Sequence, residues 1–379
     1  MHLPEKYQRQ IILPKFGQTT QQKLAEAKIL VIGAGGLGCP ALLYLAAAGV
    51  GHIAIADPDV VEISNLHRQV LFGFADVGLP KAQIAAQKLA LQHPDINFEP
   101  LCFGIDNQNA LSLFHNYDLI LDGSDNFETR YLVNDACFLL KKTLIYGAVH
   151  QYEGQVSVFN YFKQDGATHR PCNYRDLFPD LPKANQFQNC AEGGVLGVLP
   201  AIVGGLQAAE AIKIITGIGA PLTNKLLVYS FLEPNFYQIE LLPNPRAEEN
   251  MPSDFAEFKQ RKYEQLLCSI NDGRDNENNN YFEISWGGVE AVVNELKMKS
   301  GKTIFIDVRF EHEQPKLTKY SYLNIPLPEL SNYYPDLTPY DSIFCFCQTG
   351  KRSAVAAEQI RKNYPNKSVF NIAGGIQSL

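Results

Sequence analysis

An apolar run, Ile29-Leu30-Val31-Ile32, that ends in Gly33-Ala34-Gly35-Gly36-Leu37-Gly38 leaves this chain few choices of fold. In such a loop the first glycine permits a tight turn, the second lets a phosphate approach the backbone, and the third lets helix and strand pack closely. The loop opens a helix running through Pro40 to Ala48, and the positive end of that helix favours an anion. His52 to Ala56 is the next strand, and Asp57 stands at its end, nineteen residues past Gly38. That interval suits a carboxylate that accepts hydrogen bonds from ribose hydroxyls; the competing reading is a strand-end turn before Pro58. Alone, the glycine loop permits a nicotinamide-dependent oxidoreductase. The groups that follow, Asn65, Arg68 and Lys81, argue instead for a triphosphate, because they can neutralise charge that builds on phosphorus during a displacement. Taken by itself, Lys81 also reads as a solvated lysine opening a helix after Pro80.

Two more strand-like runs, Asp118 to Leu121 and Thr143 to Tyr146, end in Asp122-Gly123-Ser124-Asp125-Asn126 and in Gly147. Apolar runs whose polar residues gather at their carboxyl ends predict a mainly parallel sheet with one active edge. The longest apolar stretch, Gly193 to Ala220, is interrupted by Pro200, Gly204-Gly205, Glu210 and Lys213, so it reads as a buried helix; a membrane span needs ~20 mostly apolar residues with few charges. The 379 residues leave room for about two or three domains. From Asn244 the composition shifts, and Asp272-Gly273-Arg274-Asp275-Asn276-Glu277-Asn278-Asn279-Asn280 cannot bury anything. Residues 1–245 are therefore expected to form one domain, 246–282 a linker with a short charged helix from Asp254 to Cys268, and 283–379 a second, small αβ domain. In the latter, Gly288 to Lys297 and Ser353 to Asn363 read as helices, and Thr303 to Val308, Ser342 to Phe346 and Ser368 to Ile372 as strands. The net charge of −7 argues against a broad nucleic-acid surface. Met1 to Gln10 lacks the apolar core of a secretory signal, and the eight cysteines read as reduced. A cytoplasmic enzyme with neither nucleic-acid nor membrane partners is expected.

Beyond the glycine loop, the blocks Tyr7-Gln8-Arg9-Gln10, Ser64-Asn65-Leu66-His67-Arg68-Gln69, Lys81, Asp122-Gly123-Ser124-Asp125-Asn126 and Ala191-Glu192-Gly193-Gly194-Val195 resemble the MoeB/ThiF/HesA adenylyltransferase family. The resemblance covers roughly residues 5 to 243 and includes relatives of the ubiquitin-activating enzymes. It implies a Rossmann-like, ATP-binding α/β domain in which Asp57 holds the ribose, Asn65, Arg68 and Lys81 contact phosphates, and Asp125 assists Mg²⁺. Further nucleotide contacts are expected from Gly33, Gly35, Gly36, Gly38, Asp59, Gln69 and Asn126; Arg130 reads better as a salt-bridge or helix-surface residue and enters only as a secondary phosphate contact. Arg9 is implied to reach into the neighbouring subunit's site of a homodimer. The implied reaction is attack by the C-terminal carboxylate of a ubiquitin-like sulfur carrier, MoaD- or ThiS-like, on the α-phosphorus of ATP. Two anions must meet, so cations must offset their repulsion.

Cys190 sits where the family carries a cysteine that in some relatives forms an acyl or disulfide intermediate and in others is dispensable. A small apolar filler is the competing reading. Many relatives hold a structural zinc through two C-x-x-C pairs; here Cys172-Asn173-Tyr174-Arg175 and Leu242-Pro243-Asn244-Pro245-Arg246 stand at those places. Four thiolates are lacking, so no zinc is expected and packing is expected to take its place. His93, His115, His150 and His169 have no metal-like spacing.

Cys347-Gln348-Thr349-Gly350-Lys351-Arg352-Ser353 follows an apolar strand and precedes a helix. Backbone N–H groups, the helix end, Lys351 and Arg352 would stabilise a thiolate or persulfide on Cys347. The region from about Ile284 resembles a rhodanese domain, through Ile306-Asp307-Val308-Arg309, Asn324-Ile325-Pro326-Leu327 and Ala373-Gly374-Gly375-Ile376. Four residues separate Cys347 from Arg352, one fewer than in related phosphatase cradles, and the smaller ring suits a sulfur atom. Cys345 reads as a core residue. The expected catalytic set is thus Arg68, Lys81, Asp125, Cys347, Cys190 and Arg9, with ATP and Mg²⁺ as cofactors and a cysteine desulfurase as one candidate sulfur donor. The alternatives are a ubiquitin-type activating enzyme with a thioester on Cys190, an NAD-dependent oxidoreductase, and a non-catalytic binding module. No readable code in the sequence identifies the carrier's pathway.

Overall fold

The computed structural model describes residues 5–162, 170–179, 194–233, 235–263, 281–298 and 302–379. They belong to two compact units, Met1–Ile270 and Asn271–Leu379. The first unit is built on an eight-stranded sheet of β1 (Lys28–Ile32), β2 (His52–Ala56), β3 (Asn97–Leu101), β4 (Leu119–Asp122), β5 (Thr143–His150), β6 (Glu153–Phe159), β7 (Lys225–Ser230) and β8 (Asn235–Glu240), in the order β3-β2-β1-β4-β5-β6-β7-β8. The first five strands in that order are parallel, with Val31 opposite Ile55 and Leu121, and the remainder are antiparallel. Strands buried on both faces need no polar alternation, which is why β1, β2 and β4 read as unbroken apolar runs. Strand order reverses between β1 and β4, and a crevice at the carboxyl ends of such strands is where ligands bind.

Helices α1 (Gly17–Glu26), α2 (Gly38–Ala48), α3 (Lys81–Gln92), α4 (Phe127–Leu140) and α5 (Val198–Thr216) cover the sheet. One core joins Ile29, Val31, Ile53 and Ile55 to Leu42, Leu45 and Leu89 and to Ala208 and Ala211 of α5. The other joins Leu30, Ile32 and Ile120 to Tyr131, Val133 and Ala136 of α4. By length and composition α5 could cross a membrane. Its polar residues show it to be a core helix instead: buried Gln207 donates to the Asp122 carbonyl at 2.6 Å, and buried Glu210 accepts from the Leu222 N–H at 2.8 Å. Close packing on α2 needs Gly204, where a Cβ would stand 2.2 Å from the Leu37 carbonyl oxygen.

The segment expected to be linker from residue 246 onward begins as part of the first unit. Helices Pro245–Glu249 and Phe255–Gln260 bury Ala247 and Phe258, and Tyr263 is buried beyond them. The reason is a charge that the sequence places far away. Asp135, fully buried in α4, accepts hydrogen bonds from Arg175 at 2.7 Å through both Nε and Nη2, from Arg261 at 3.4 Å and from the Tyr263 hydroxyl at 2.7 Å. Of the charged helix expected from Asp254 to Cys268, the described residues form Phe255–Gln260, capped by the Asp254 carboxylate on the Glu257 N–H, and residues 264–268 lie outside the described residues. The Asp272 to Asn280 stretch lies outside the described residues.

Where zinc-binding cysteine pairs are missing, charge rather than apolar packing joins the two segments. Arg170 donates to both oxygens of the buried Asp176 at 2.7 and 2.8 Å and to Glu248 at 2.9 Å, while the Asn244 N–H donates to Asp176 at 2.6 Å. Cys172 is buried beside them, which pushes its thiol up to about 11.

The second unit is a five-stranded, wholly parallel sheet of β9 (Phe282–Ile284), β10 (Thr303–Asp307), β11 (Tyr322–Asn324), β12 (Ser342–Phe346) and β13 (Ser368–Ile372), ordered β11-β10-β12-β13-β9. Helices α6 (Trp286–Met298) and α7 (Lys351–Asn363) are the longest beside it. On one face Phe344 stacks between Phe305 and Phe370, with ring centroids 4.9 and 4.5 Å away. The opposite face packs Ile306, Cys345 and Cys347 against Ala356, Ala357 and Ile360 of α7. Cys345 is thus the core residue expected, and its burial raises its thiol well above the ordinary range.

Candidate functional site

In the first unit the glycine loop folds tightly at the carboxyl end of β1. Gly33 has φ of +88°, where a side chain is strained, and a Cβ there would lie 2.9 Å from the Gly123 oxygen. A Cβ at Gly38 would stand 1.8 Å from the Gly33 oxygen, so the first turn of α2 tolerates no other residue. Gly35 and Gly36 face a different segment: their Cβ positions lie 3.8 Å from Gln69 Nε2 and 3.5 Å from Arg68 Cδ. Pro200, in the first turn of α5, stands 3.2 Å from the same Gly36 position. The 64–69 segment, the glycine loop and the start of α5 therefore meet at one place.

Asp57 braces the loop from the end of β2, accepting from the Ala34 N–H at 2.7 Å and the Asp59 N–H at 2.9 Å. Burial pushes its carboxyl upward, opposed by those two bonds and the nearby Lys81 charge. A carboxylate offers about four lone-pair positions, so two bonds leave acceptors for a sugar hydroxyl. Lys81, the first residue of α3, is buried and lies 2.9 Å from Asp59 Oδ2. Asp59 is thus the partner of Lys81 in this structure. Arg68 donates to the Ser64 carbonyl at 3.1 Å and lies 2.9 Å from His67 Nε2. A guanidinium only donates, so His67 Nε2 is the acceptor; burial, and then the Arg68 charge, lower the His67 pKa. Asn65 and Gln69 are both buried; Asn65 donates to Ser64 Oγ at 3.4 Å, and Gln69 Oε1 has no protein partner.

The loop after β4 closes the crevice. Asp122 is buried, accepts from the Ser124 N–H at 2.9 Å, and has its carboxyl pushed up by burial despite nearby Arg130; its Oδ2 and Ser124 Oγ have no protein partner. Asp125 is exposed just ahead of α4. Asn126 caps that helix, its Oδ1 accepting from the Thr129 N–H at 2.8 Å, so its side-chain oxygen serves the fold first. Arg130 is buried rather than on the helix surface; it donates to the Ser124 carbonyl at 3.2 Å and lies over the Phe127 and Tyr146 rings. It shapes this loop from beneath. Gln207 could not be chosen from sequence pattern, since it acts through a contact with the distant Asp122 carbonyl.

Near the amino end, Tyr7 donates to Asp95 at 2.8 Å, and Gln10 reaches Gln21 and the Ala48 carbonyl. Arg9 between them is exposed. Cys190 and its neighbours from residue 188 to 193 lie outside the described residues.

In the second unit Cys347 directly follows β12 and is fully buried, and its Sγ accepts from the Gly350 N–H at 3.2 Å with Ser353 Oγ 3.5 Å away. Gly350, at φ +89°, curls the chain around the sulfur and delivers it to the start of α7. The Gly374-Gly375 turn lies against this loop: the Ile376 N–H donates to the Cys347 carbonyl at 2.8 Å, and a Cβ at Gly375 would lie 2.4 Å from that oxygen. Ser353 also bonds Asn371 at 2.7 Å. Arg352, expected to offer its charge to the thiolate, is paired with both Glu313 oxygens, at 2.7 Å each. Gln348 accepts from Arg309 at 2.8 Å, and Thr349 lies between these anchored positions. Glu313, distant in sequence from the cysteine loop and outside any motif, gave no sequence signal.

The ThiF family model matches residues 7–251. A sulfur carrier protein adenylyltransferase of Thermus thermophilus is 49% identical over 243 residues, which cover 64% of this chain and 89% of that protein. The adenylyltransferase and sulfurtransferase MOCS3 of Drosophila grimshawi is 34% identical over 380 residues, covering 98% of this chain and 83% of the relative. Among solved structures, E. coli MccB superimposes with a TM-score of 0.54 at 22% identity over 63% of this chain and 70% of that one, a likeness of fold.

Proposed function

The chain belongs to the ThiF family, and from that premise we propose that its first unit uses ATP to adenylylate the C-terminal glycine of a ubiquitin-like sulfur carrier, while its second unit delivers sulfur to the activated carbon. The observation that carries this reading is the meeting of Arg68 and Gln69 with Gly35 and Gly36, beside the Asp57–Asp59–Lys81 cluster. A dehydrogenase crevice must leave room for a nicotinamide ring there. This one instead brings cations to the glycine turn, where a triphosphate needs them.

In the proposed mechanism Asp57 takes the ribose, and the loop N–H groups with the α2 end take phosphate oxygens. Arg68 and Lys81 hold the α- and β-phosphates. The carrier carboxylate attacks the α-phosphorus, the bond to the bridging oxygen breaks, and pyrophosphate leaves with the electron pair. Lys81 turns from Asp59 toward the phosphates as ATP enters. Exposed Asp125, just ahead of α4, would hold Mg²⁺, which would add charge neutralisation at the phosphates. Arg9 acts from the partner subunit of a homodimer.

Sulfur transfer follows at Cys347. Its outer persulfide sulfur attacks the acyl carbon, AMP leaves, and an acyl disulfide forms. The Cys190 thiolate then attacks the Cys347 sulfur, releasing the carrier thiocarboxylate and leaving a Cys190–Cys347 disulfide for reduction by cellular thiol. A cysteine desulfurase is the proposed sulfur source, and free thiols such as Cys39, Cys102 and Cys137 suit the cytoplasm. Mixing the protein with ATP and a diglycine-tailed carrier tests the first step by ATP/pyrophosphate exchange. Weighing the carrier tests the second, since oxygen-to-sulfur exchange is expected; an unmodified carrier and no exchange would sink the reading.

A further inference from the structure

The segment from Arg309 to Pro315 braces the sulfur loop at two points. Arg309 is fully buried, bonds Asp307 through Nε and Nη2 at 2.9 and 2.8 Å, and donates from Nη1 to Gln348 Oε1 at 2.8 Å. Its Nη2 also meets the Pro315 carbonyl at 2.8 Å. Glu313 takes the fork of Arg352 with both oxygens at 2.7 Å and is fixed from behind by the Phe310 N–H at 2.8 Å. Such a two-point pair is rigid as well as strong. Among the described residues, both guanidinium groups that reach this loop are therefore matched by a carboxylate of the same unit.

That matching bears on which donors can load Cys347, and it rests on the sulfur-transfer reading above. In loading, the Cys347 thiolate attacks the outer sulfur of a donor. The donor's S–S bond breaks, its electron pair leaves with the remaining group, and a persulfide forms on Cys347 with no net oxidation. Thiosulfate expels sulfite, so a doubly charged small molecule must settle at the loop, and an uncompensated guanidinium there would add to the hold of the backbone N–H groups. A persulfide on another protein expels a thiolate and is held by contacts elsewhere.

We propose that Glu313 is a specificity-determining residue: by claiming Arg352 it turns away small anionic sulfur donors and reserves Cys347 for persulfide carried on a protein. Specificity of this kind comes from a repulsive element as much as an attractive one.

The test is steady-state sulfur transfer by the full chain from thiosulfate to cyanide, beside loading of Cys347 from a persulfide-bearing cysteine desulfurase, followed by intact mass. Glu313→Gln, which keeps the shape and removes the charge, is expected to lower the thiosulfate KM about tenfold, more at low salt, while loading from the protein donor changes less than about twofold. Glu313→Asp, which keeps the charge, should retain the weak wild-type KM, and Glu313→Gln combined with Arg352→Gln should restore it. An unchanged or higher thiosulfate KM in Glu313→Gln, or the same low KM in Glu313→Asp, overturns the proposal while leaving sulfur transfer intact. A parallel loss of both donors in Glu313→Gln would make Glu313 a structural brace and overturn it too. Wild-type protein that accepts sulfur from neither donor would sink the underlying reading as well.

Discussion

Cys347 is buried to the last atom yet its sulfur faces the Gly350 N–H and the Ser353 hydroxyl, the two donors a sulfur anion there would meet. Replacing it by serine should cut thiocarboxylate formation roughly a thousandfold or more while ATP/pyrophosphate exchange continues, because the two chemistries sit on separate units. Lys81→Ala should do the reverse, lowering exchange roughly a hundredfold or more and sparing thiosulfate:cyanide transfer. Acid gives a further check. Burial pushes the Glu313 carboxyl up, but the Arg352 fork and the Phe310 N–H outweigh it and leave it below its ordinary value of 4.5. A lowered folded-state value adds stability above the ordinary range that is lost as pH falls through the lowered value. Thermal melts should accordingly show wild type and Glu313→Gln converging as pH drops below that range. Asp57 and Cys347 were legible as candidates because each follows an apolar strand, whereas Arg68 and Lys81 stood out through the blocks that carry the family resemblance. Neither signal could show that Arg352 is already claimed or that Asn126 is a cap, because both depend on which neighbour arrives first.

Elements whose periodicity and flanks agreed were readable: β1 with its glycine turn, β2 with Asp57, β12 with the cysteine loop. Helix α7 opens at Lys351, two residues before the expected Ser353, because the left-handed Gly350 already aims the chain along the helix. The junction of β1 and α2 should be the least tolerant place in the first unit. Gly38→Ala drives a methyl into the Gly33 carbonyl and should cost at least about 1–3 kcal/mol, measured by denaturant unfolding, with loss of nucleotide binding. Arg170 offers an independent trial. Removing it strands the buried Asp176, and Arg170→Ala should cost about 3 kcal/mol, whereas adding chelator to wild type should leave the melting temperature unmoved.

For the whole molecule, the two αβ patterns were visible in sequence because each carries its own strands and its own glycine-turned loop. Where the first unit stops was not, since Asp135 and Tyr263 are joined only by the fold. Separately expressed halves, 1–270 and 271–379, should each keep their own half-reaction. Mixed at micromolar concentration, they should make thiocarboxylate more slowly than the fused chain, with a rate that rises with concentration. The anchoring of Arg261 and Tyr263 on Asp135 works as a clasp that holds the far end of the described first unit against α4. Arg175 meets the same carboxylate, so the single exchange Asp135→Asn should strand a buried guanidinium and release Arg261 and Tyr263 at once, loosening the interior of α4 and that far end together.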